Sequence, residues 1–326
     1  MTHMDQMTRR KLALIVPVFN EADAIKPFLA RLSLVLDGLA DKVRFEICFV
    51  NDGSTDETEQ VVERQMSTQP SVRLINLSRN FGKEAALSAG LDQIDADAVI
   101  PMDVDLQDPP ELIPEMINLW LNGAHVVNAR RVSRTQASWF KRASAGAFYR
   151  VFNLLAEHPI PTNVGDFRLL DREVVMVLRR LGERSRFNKA LFSWVGFETA
   201  EVTHERPARE DGQTRWSYLK LWKLGLDGIF SSSTLPLRIW TYVGVFMSLI
   251  SLLYSLFIVI RTLAFGVDVP GYASTVILIL TFGGLNLFAL GIIGEYVGRI
   301  YIEVRQRPLY VIRSSLEAKR EVKDGS

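Results

Sequence analysis

The sequence predicts an α/β protein whose mostly parallel sheet precedes two membrane-spanning helices. In the first part of the chain, short runs of β-branched and aromatic residues alternate with helical patterns. Later, two apolar segments, Ile239 to Phe265 and Ala273 to Gly298, each exceed the roughly 20 residues that a helix needs to cross a bilayer. A carboxylate-rich run, Asp103 to Asp108, follows one of the predicted strands. These observations together predict a water-soluble, ligand-binding domain that is attached to a membrane.

The alternating units of the first part can be assigned in order. The predicted buried strands are Leu12 to Phe19, Phe45 to Asn51, Val72 to Leu77, Ala98 to Met102 and His125 to Ala129. The predicted helices are Ala22 to Leu39, Thr55 to Met66, Lys83 to Ile94 and Pro110 to Leu121. Repeated β-α units produce a parallel sheet with helices on both faces, and ligands bind beyond the carboxyl ends of its strands.

Positive charge flanks the two apolar segments on their outer sides. Lys220, Lys223 and Arg238 come before the first, and Arg299, Arg305, Arg307 and Arg313 follow the second. This distribution predicts that both chain ends are cytoplasmic. The chain then divides into a catalytic domain (1–205), a juxtamembrane amphipathic segment (206–238), two transmembrane helices (239–298) and a basic cytoplasmic tail (299–326).

The juxtamembrane segment combines an aromatic stripe with basic residues. Trp216, Leu219, Trp222, Leu226 and Phe230 recur at helical spacing. This pattern favours a helix on the membrane surface, and ordinary core packing is the alternative. Arg209 and Arg215 flank Gly212-Gln213, a loop that could close over a lipid phosphate.

Composition excludes several classes of protein. With 326 residues and a net charge of +1, the chain has no overall field that favours nucleic acid. The single Cys48 indicates a reduced compartment, and the four histidines lack the spacing of zinc ligands. No dinucleotide-binding or Walker-type glycine motif is present. The apolar run that ends at Phe19 is too short for a signal peptide, so we expect the domain to stay where it is made.

Polar signatures follow three of the predicted strands, and the first of them is Asn20-Glu21. Asp52 is followed by Gly53 and Ser54, an arrangement that suits a nucleotide but that also occurs at an ordinary helix cap. Asp103 and Asp105 would lie on one face of an extended segment, where either a divalent cation or hydrogen-bond donors between them would relieve their repulsion.

The order of these motifs resembles a known family. Pro-Val-Phe-Asn-Glu (17–21), Asn-Asp-Gly-Ser (51–54), Arg-Asn-Phe-Gly-Lys (79–83), Asp-Val-Asp-Leu-Gln-Asp (103–108) and Gly-Asp-Phe-Arg-Leu (165–169) resemble family 2 glycosyltransferases that act on polyisoprenyl phosphates. Within this group, which includes dolichol-phosphate mannose synthases, the chain looks most like bactoprenol glucosyltransferases of O-antigen systems. The resemblance implies a nucleotide-binding domain of the GT-A type.

The resemblance also implies roles for individual residues. Expected nucleotide contacts are Pro17, Phe19, Glu21, Asp52, Lys83 and Asp103, and expected ligands of Mg²⁺ or Mn²⁺ are Asp103, Asp105 and Gln107. For Lys83, an exposed helix lysine is the alternative. Expected catalytic residues are Asp105 and Asp166. Because a phosphate acceptor is largely ionised at neutral pH, Asp166 need not be a strong base. It could instead orient the acceptor, stabilise positive charge at the anomeric carbon of the sugar, or cap local structure.

Four arginines are candidates for binding the acceptor phosphate. They are Arg130, Arg168, Arg209 and Arg215, and surface ion pairs are the alternative for the first two.

The implied reaction is glucose transfer from UDP-glucose to undecaprenyl phosphate at the cytoplasmic face of the bacterial inner membrane. A lipid-linked sugar of this kind would serve O-antigen modification, together with a flippase and a downstream glucosyltransferase. The resemblance further implies a homotetramer. Mannose, N-acetylhexosamine or aminoarabinose remain alternative sugars, and a non-catalytic membrane scaffold is an alternative of a different class.

Overall fold

The computed structural model describes residues 9–131, 164–183, 191–192, 194–204, 235–266 and 271–317. The chain forms two compact units. One unit contains the sheet together with the residues that follow Gln306, and the other contains two long helices.

The first unit alternates strands and helices as the sequence predicts. Its described strands are β1 (Arg10–Val18), β2 (Val43–Asn51), β3 (Val72–Leu77), β4 (Ala98–Pro101), β5 (Val126–Arg131), β6 (Val164–Asp171), β7 (Thr199–His204) and β8 (Ile312–Glu317). Its helices are α1 (Ala22–Asp37), α2 (Thr58–Thr68), α3 (Lys83–Gln93), α4 (Ile113–Leu121) and α5 (Arg172–Arg180), and a 3₁₀ turn (Pro110–Leu112) precedes α4.

The eight described strands form one mixed sheet in the order β7-β5-β6-β4-β1-β2-β3-β8. The central strands β4, β1, β2 and β3 are parallel, and β1 pairs with β2 so that Val18 lies beside Asn51. Strand β6 runs antiparallel to β4 and β5, so it begins at the edge where those strands end. The carboxyl ends of β4 and β5 and the start of β6 therefore lie at the same end of the sheet, which is called its carboxyl edge.

The core lies on both faces of this sheet. In β1, Leu12 and Leu14 join one apolar cluster with residues of α1 and α4, whereas Ala13 and Ile15 join a second cluster with residues of α3 and α5. This division follows from the alternation of side chains along a strand. Because β1 is covered on both faces, its five residues from Leu12 to Val16 are all fully buried.

The α/β architecture with a mostly parallel sheet is confirmed, and each of the five predicted strands and four predicted helices has a counterpart. Strands β6, β7 and β8 were not predicted. The last of these corrects the predicted cytoplasmic tail (299–326), because residues 312–317 pair with β3 at the edge of the sheet. Half-buried Ile312, Ser314 and Leu316 alternate there with exposed residues, as an edge strand requires.

The second unit is a helical hairpin of α6 (Leu235–Phe265) and α7 (Tyr272–Arg305). Many of its described apolar side chains are exposed, including Leu253, Phe257 and Leu287. Trp240 and Phe288 make an edge contact between the two helices, with ring centroids 5.1 Å apart. None of the helices in the described ranges combines the length and the hydropathy that a membrane-spanning helix needs. The predicted amphipathic segment lies almost wholly outside the described residues.

Candidate active site

The carboxyl ends of β1 and β2 carry two loops that are hydrogen-bonded to each other. The Asn20 backbone N–H donates to Ser54 Oγ at 3.0 Å, and the Thr55 N–H donates to Asn20 Oδ1 at 2.8 Å. Phe19, whose side chain is 43% exposed, and the exposed Glu21 flank this contact. Pro17 is half-buried within β1. Three of the predicted nucleotide contacts thus lie on or beside one loop.

Asp52 joins these loops to the segment that precedes α3. Its side chain is buried and accepts hydrogen bonds from the backbone N–H groups of Phe81 at 2.7 Å and Gly82 at 2.8 Å. Burial raises the pKa of Asp52, and these two hydrogen bonds partly offset the rise. Both carboxylate oxygens therefore hold the Arg79-to-Gly82 segment against the end of β2.

Gly53 allows that close approach. Its φ is +69°, and an added Cβ would lie 2.4 Å from the backbone carbon of Arg79. No side chain fits at that distance, and an L-residue is strained at this φ. The Asp-Gly pair at the end of β2 is thus required by the fold of the site as well as suited to a ligand.

A lysine and two carboxylates meet at the same edge of the sheet. Lys83 Nζ, at the start of α3, lies 2.7 Å from Asp103 Oδ1 and 2.9 Å from Asp166 Oδ2. Asp103 follows β4, and Asp166 lies near the start of β6. All three side chains are partly exposed. The structure brings together residues that are 20 and 83 positions apart in the sequence.

Electrostatics keep Lys83 charged, whereas burial raises the pKa of Asp103 and the lysine partly offsets that rise. Burial opposes the charge on Lys83, but the neighbouring carboxylates of Asp103 and Asp166 outweigh it and raise the pKa of the lysine. Lys83 is therefore a stable cation between two acids at neutral pH. The side chain of Lys83 is exposed at the start of α3, as in the alternative for this position, and it is also paired with both acids.

The segment with the predicted metal ligands differs from the expected extended strand. Strand β4 ends at Pro101, Val104 and Asp105 lie in a turn, and Leu106 has a φ of +56°. Asp103 and Asp105 therefore do not share a strand face. Asp105 is exposed and accepts the Gln107 backbone N–H at 3.1 Å.

Within the described residues, no group of three or more His, Cys, Asp or Glu side chains could hold a metal ion. The chain itself offers the partly exposed Asp103 and the exposed Asp105. This set fits a Mg²⁺ or Mn²⁺ ion that takes its remaining ligands from a bound diphosphate and water, because such ions are commonly held by one or two carboxylates and substrate phosphates.

Of the four predicted phosphate-binding arginines, two lie within the described residues, one exposed and one buried. Arg130 forms an ion pair with Glu201 at 3.0 Å. Arg168 is buried, donates to the Gly165 carbonyl at 2.6 Å and lies over the Phe192 ring. Burial lowers the pKa of Arg168 to about 10, and Asp166 partly offsets the decrease. Arg209 and Arg215 lie outside the described residues.

One ion pair beside the site was not predicted from the sequence. Arg131, at the end of β5, contacts Asp108 Oδ1 at 3.2 Å, and Asp108 is buried. Asp108 closes the same acidic run that contains Asp103 and Asp105, so the run itself was a usable signal. Its partner could be found only from the strand order, in which β6 lies between β4 and β5.

Comparison with known proteins identifies the family. The profile described as Glycosyl transferase family 2 matches residues 13–179 of this chain. The chain belongs to glycosyltransferase family 2. The matched span covers every described member of the site, and a second profile, described as GtrB C-terminal hairpin, matches residues 235–300. A catalytic glycosyltransferase domain is thus joined to a helical hairpin of a recognised type.

Several relatives in the family cover nearly the whole chain. A bactoprenol glucosyl transferase derived from prophage SfII in Shigella flexneri is 47% identical, with 94% of this chain and 98% of the relative aligned. A prophage bactoprenol glucosyl transferase homolog of Escherichia coli is 44% identical over 93% of this chain and 98% of its own. A glycosyltransferase of Synechocystis is 50% identical over 93% and 94% of the two chains.

A solved structure of more distant sequence is also similar. The mannosyltransferase of Pyrobaculum calidifontis, in complex with GDP-Man and Mn²⁺, is 17% identical, covers 90% of this chain and 88% of its own, and has a TM-score of 0.43.

Proposed function

We propose that this glycosyltransferase transfers glucose from UDP-glucose to undecaprenyl phosphate. The relatives that share 44–47% of their residues over most of the chain are named bactoprenol glucosyl transferases. The observation that carries the proposal at the site is Lys83, whose ammonium group bridges Asp103 and Asp166 at the carboxyl edge of the sheet. A cation at this place is suited to a reaction in which negative charge moves between two phosphate groups.

The donor side of the proposed site lies at the ends of β1 and β2. The half-exposed Phe19 offers a ring for the uracil base, and Glu21 lies on the same loop. Asp52 acts here mainly by fixing the Arg79-to-Gly82 segment, since its oxygens already accept the backbone N–H groups of Phe81 and Gly82. Pro17 sets the end of β1 beneath this loop.

We propose a divalent cation at Asp103 and Asp105, with Gln107 as an auxiliary ligand and with Mg²⁺ and Mn²⁺ as the candidates. When bound, it would neutralise the charge that develops on the departing diphosphate. Lys83 adds a second positive charge, beside that of the ion, close to the departing diphosphate. Its contacts with Asp103 and Asp166 hold the two acids close together.

For Asp166 we propose a role in orienting the acceptor. A phosphate monoester has a second pKa near 6, so much of the acceptor is already a dianion at neutral pH. The nucleophile then needs little help from a base. The Lys83 contact fixes the Asp166 carboxylate, and the buried Arg168 fixes the preceding carbonyl of Gly165.

The acceptor phosphate needs cations that a bound lipid can reach. Arg168 is buried, whereas Arg130 is exposed and would have to leave its ion pair with Glu201 to bind a phosphate. Arg209 and Arg215 remain proposed phosphate ligands.

We further propose that the α6–α7 hairpin anchors the enzyme in the bacterial inner membrane as two transmembrane helices, with the catalytic domain and both termini cytoplasmic. Its exposed large apolar side chains support this, because such side chains are stable in contact with lipid. A homotetramer, a role in O-antigen modification, and a flippase and a downstream glucosyltransferase as partners complete the proposal.

The test is transfer of labelled glucose from UDP-glucose into the lipid phase by the full-length enzyme with undecaprenyl phosphate and Mg²⁺ or Mn²⁺. We expect labelled lipid from the wild type and a loss of about 100-fold or more with Asp103→Asn, because the variant weakens charge neutralisation at the diphosphate. Asp41→Asn, an exposed position distant in sequence from the site, is the matched control.

Each failure of this experiment has a distinct meaning. Transfer of mannose, N-acetylhexosamine or aminoarabinose in place of glucose would retain the reaction and change the donor. Retained activity in Asp103→Asn would contradict the assigned site. A wild-type protein that binds no sugar nucleotide would favour a membrane scaffold.

A further inference from the structure

A buried hydrogen-bond network connects the edge of the sheet with the proposed donor loop. It consists of Asn51, Asn76 and Glu59, which we call the asparagine network. Asn51 Nδ2 donates to Asn76 Oδ1 at 2.9 Å, and Asn76 Nδ2 donates to Glu59 Oε1 at 2.9 Å. Asn51 and Asn76 are 1% and 0% exposed, so water cannot replace the contact between them, whereas Glu59 is partly exposed.

The network extends in both directions. Toward the site, Asn51 Oδ1 accepts the backbone N–H of Ser54 at 3.0 Å, and Ser54 Oγ in turn accepts the N–H of Asn20. Toward the edge strand β8, Asn76 Nδ2 also donates to Ser314 Oγ at 3.1 Å, and Arg313 contacts both oxygens of Glu59 at 2.7 and 2.6 Å.

The charge at one end fixes the orientation of both amides. Glu59 and Ser314 accept from the Asn76 amide nitrogen, so the amide oxygen of Asn76 must face Asn51. Asn51 then has to donate with its nitrogen, which leaves its oxygen for the Ser54 N–H. A flipped amide at either position would leave buried donors and acceptors unpaired, which is unfavourable.

We propose that Asn76 is a positioning residue for the donor nucleotide. Asn76 holds Asn51, and Asn51 in turn fixes the Ser54 turn and the Phe19-to-Glu21 loop. The inference rests on the proposed function, since that loop is where we place the UDP moiety. Asn76 itself does not touch the nucleotide. The edge strand β8, which was expected to be a free tail, supports the donor loop through this residue.

The test exchanges the charge between Asn76 and Glu59. Asn76→Asp turns a carboxylate toward Glu59, and we expect the Kd for UDP, measured by calorimetry on the full-length protein with Mg²⁺, to rise about tenfold. In the double variant with Glu59→Gln, the amide at position 59 can donate to the carboxylate at position 76, which restores the contact with donor and acceptor exchanged. We expect the Kd of this double variant to return to within about threefold of the wild-type value. Glu63→Gln makes the same change at an exposed position one turn along α2 and should bind UDP normally.

A purely structural role would reduce the amount of folded protein without changing the Kd of the folded fraction. Thermal unfolding is therefore recorded for every variant, and Ser314→Ala serves as a milder change if Asn76→Asp does not fold. An unchanged Kd in folded Asn76→Asp, or in Ser314→Ala where Asn76→Asp is unfolded, would overturn the inference, and so would a double variant that binds no better than Asn76→Asp. Wild-type protein that binds no UDP would overturn the proposed donor, and the inference with it.

Discussion

Lys83 illustrates how single side chains organise this site. Its contacts with Asp103 and Asp166 join the start of α3 to segments that follow β4 and begin β6. Without the ammonium group, two carboxylates would face each other in a partly buried setting, and their repulsion would separate them. The lysine thus has an electrostatic and a geometric role at once.

We expect Lys83→Met to lower kcat by about 100-fold, because it removes a positive charge from the region where phosphate charge develops. Lys83→Arg should retain part of the activity, and Lys26→Met, at an exposed position of α1, should retain all of it. Steady-state transfer kinetics check these values. Full activity of Lys83→Met would contradict the assignment.

The same cluster has a defined pH dependence. The folded-state pKa of Lys83 is raised, so its contribution to stability is fully present below the lysine's unfolded pKa and is lost only as pH rises through the raised value. The difference in free energy of unfolding between wild type and Lys83→Met should therefore stay constant between about pH 6 and pH 9.

At the scale of elements, the turn after β2 determines whether the site can assemble. We expect Gly53→Ala to lower the free energy of unfolding by about 2 kcal/mol or more, because the added Cβ meets the Arg79 backbone and φ is positive. Gly182→Ala is the matched control, since a Cβ there has no neighbour within 4 Å. Denaturant unfolding measures both, and equal stability of the two variants would contradict the packing argument.

The sequence predicted the central elements because their signals are local. Strands β1 to β4 contain compact apolar runs, β5 begins with Val126-Val127, and the helices between them show the helical period. Strand β7, Thr199–His204, has only Val202 as a strongly apolar residue, and β8 contains two adjacent serines, so neither stands out before its partner is known. Pairing with a distant strand is the information that a local pattern lacks.

Only those parts of the site that belong to a local sequence motif could be predicted. Asp103 and Asp166 were recognised through motifs, but their connection by Lys83 depends on the order of strands in the sheet. The asparagine network was missed because Asn51 and Asn76 read as ordinary polar residues at strand ends. Only the register of β2 against β3, which places Asn51 beside Asn76, reveals the contact.

At the scale of the whole molecule, the hairpin gives a prediction for membrane association. We expect Leu253→Asp combined with Leu287→Asp to reduce the fraction of protein that stays with membranes after carbonate extraction, because each aspartate costs about 3 kcal/mol at the centre of a membrane helix. Leu34→Asp, at an exposed leucine of α1, should have no such effect. Unchanged retention of the double variant would contradict the proposed anchor.

The pairing of β8 with β3 also affects the order in which the protein can be completed during synthesis. The sheet-bearing unit is discontinuous in sequence, since the hairpin is inserted between β7 and β8. Until residues 312–317 have left the ribosome, β3 is an unpaired edge with open backbone groups. The catalytic domain therefore reaches its final form only after both hairpin helices have been made, and a fragment that stops before the hairpin lacks the strand that supports its donor loop.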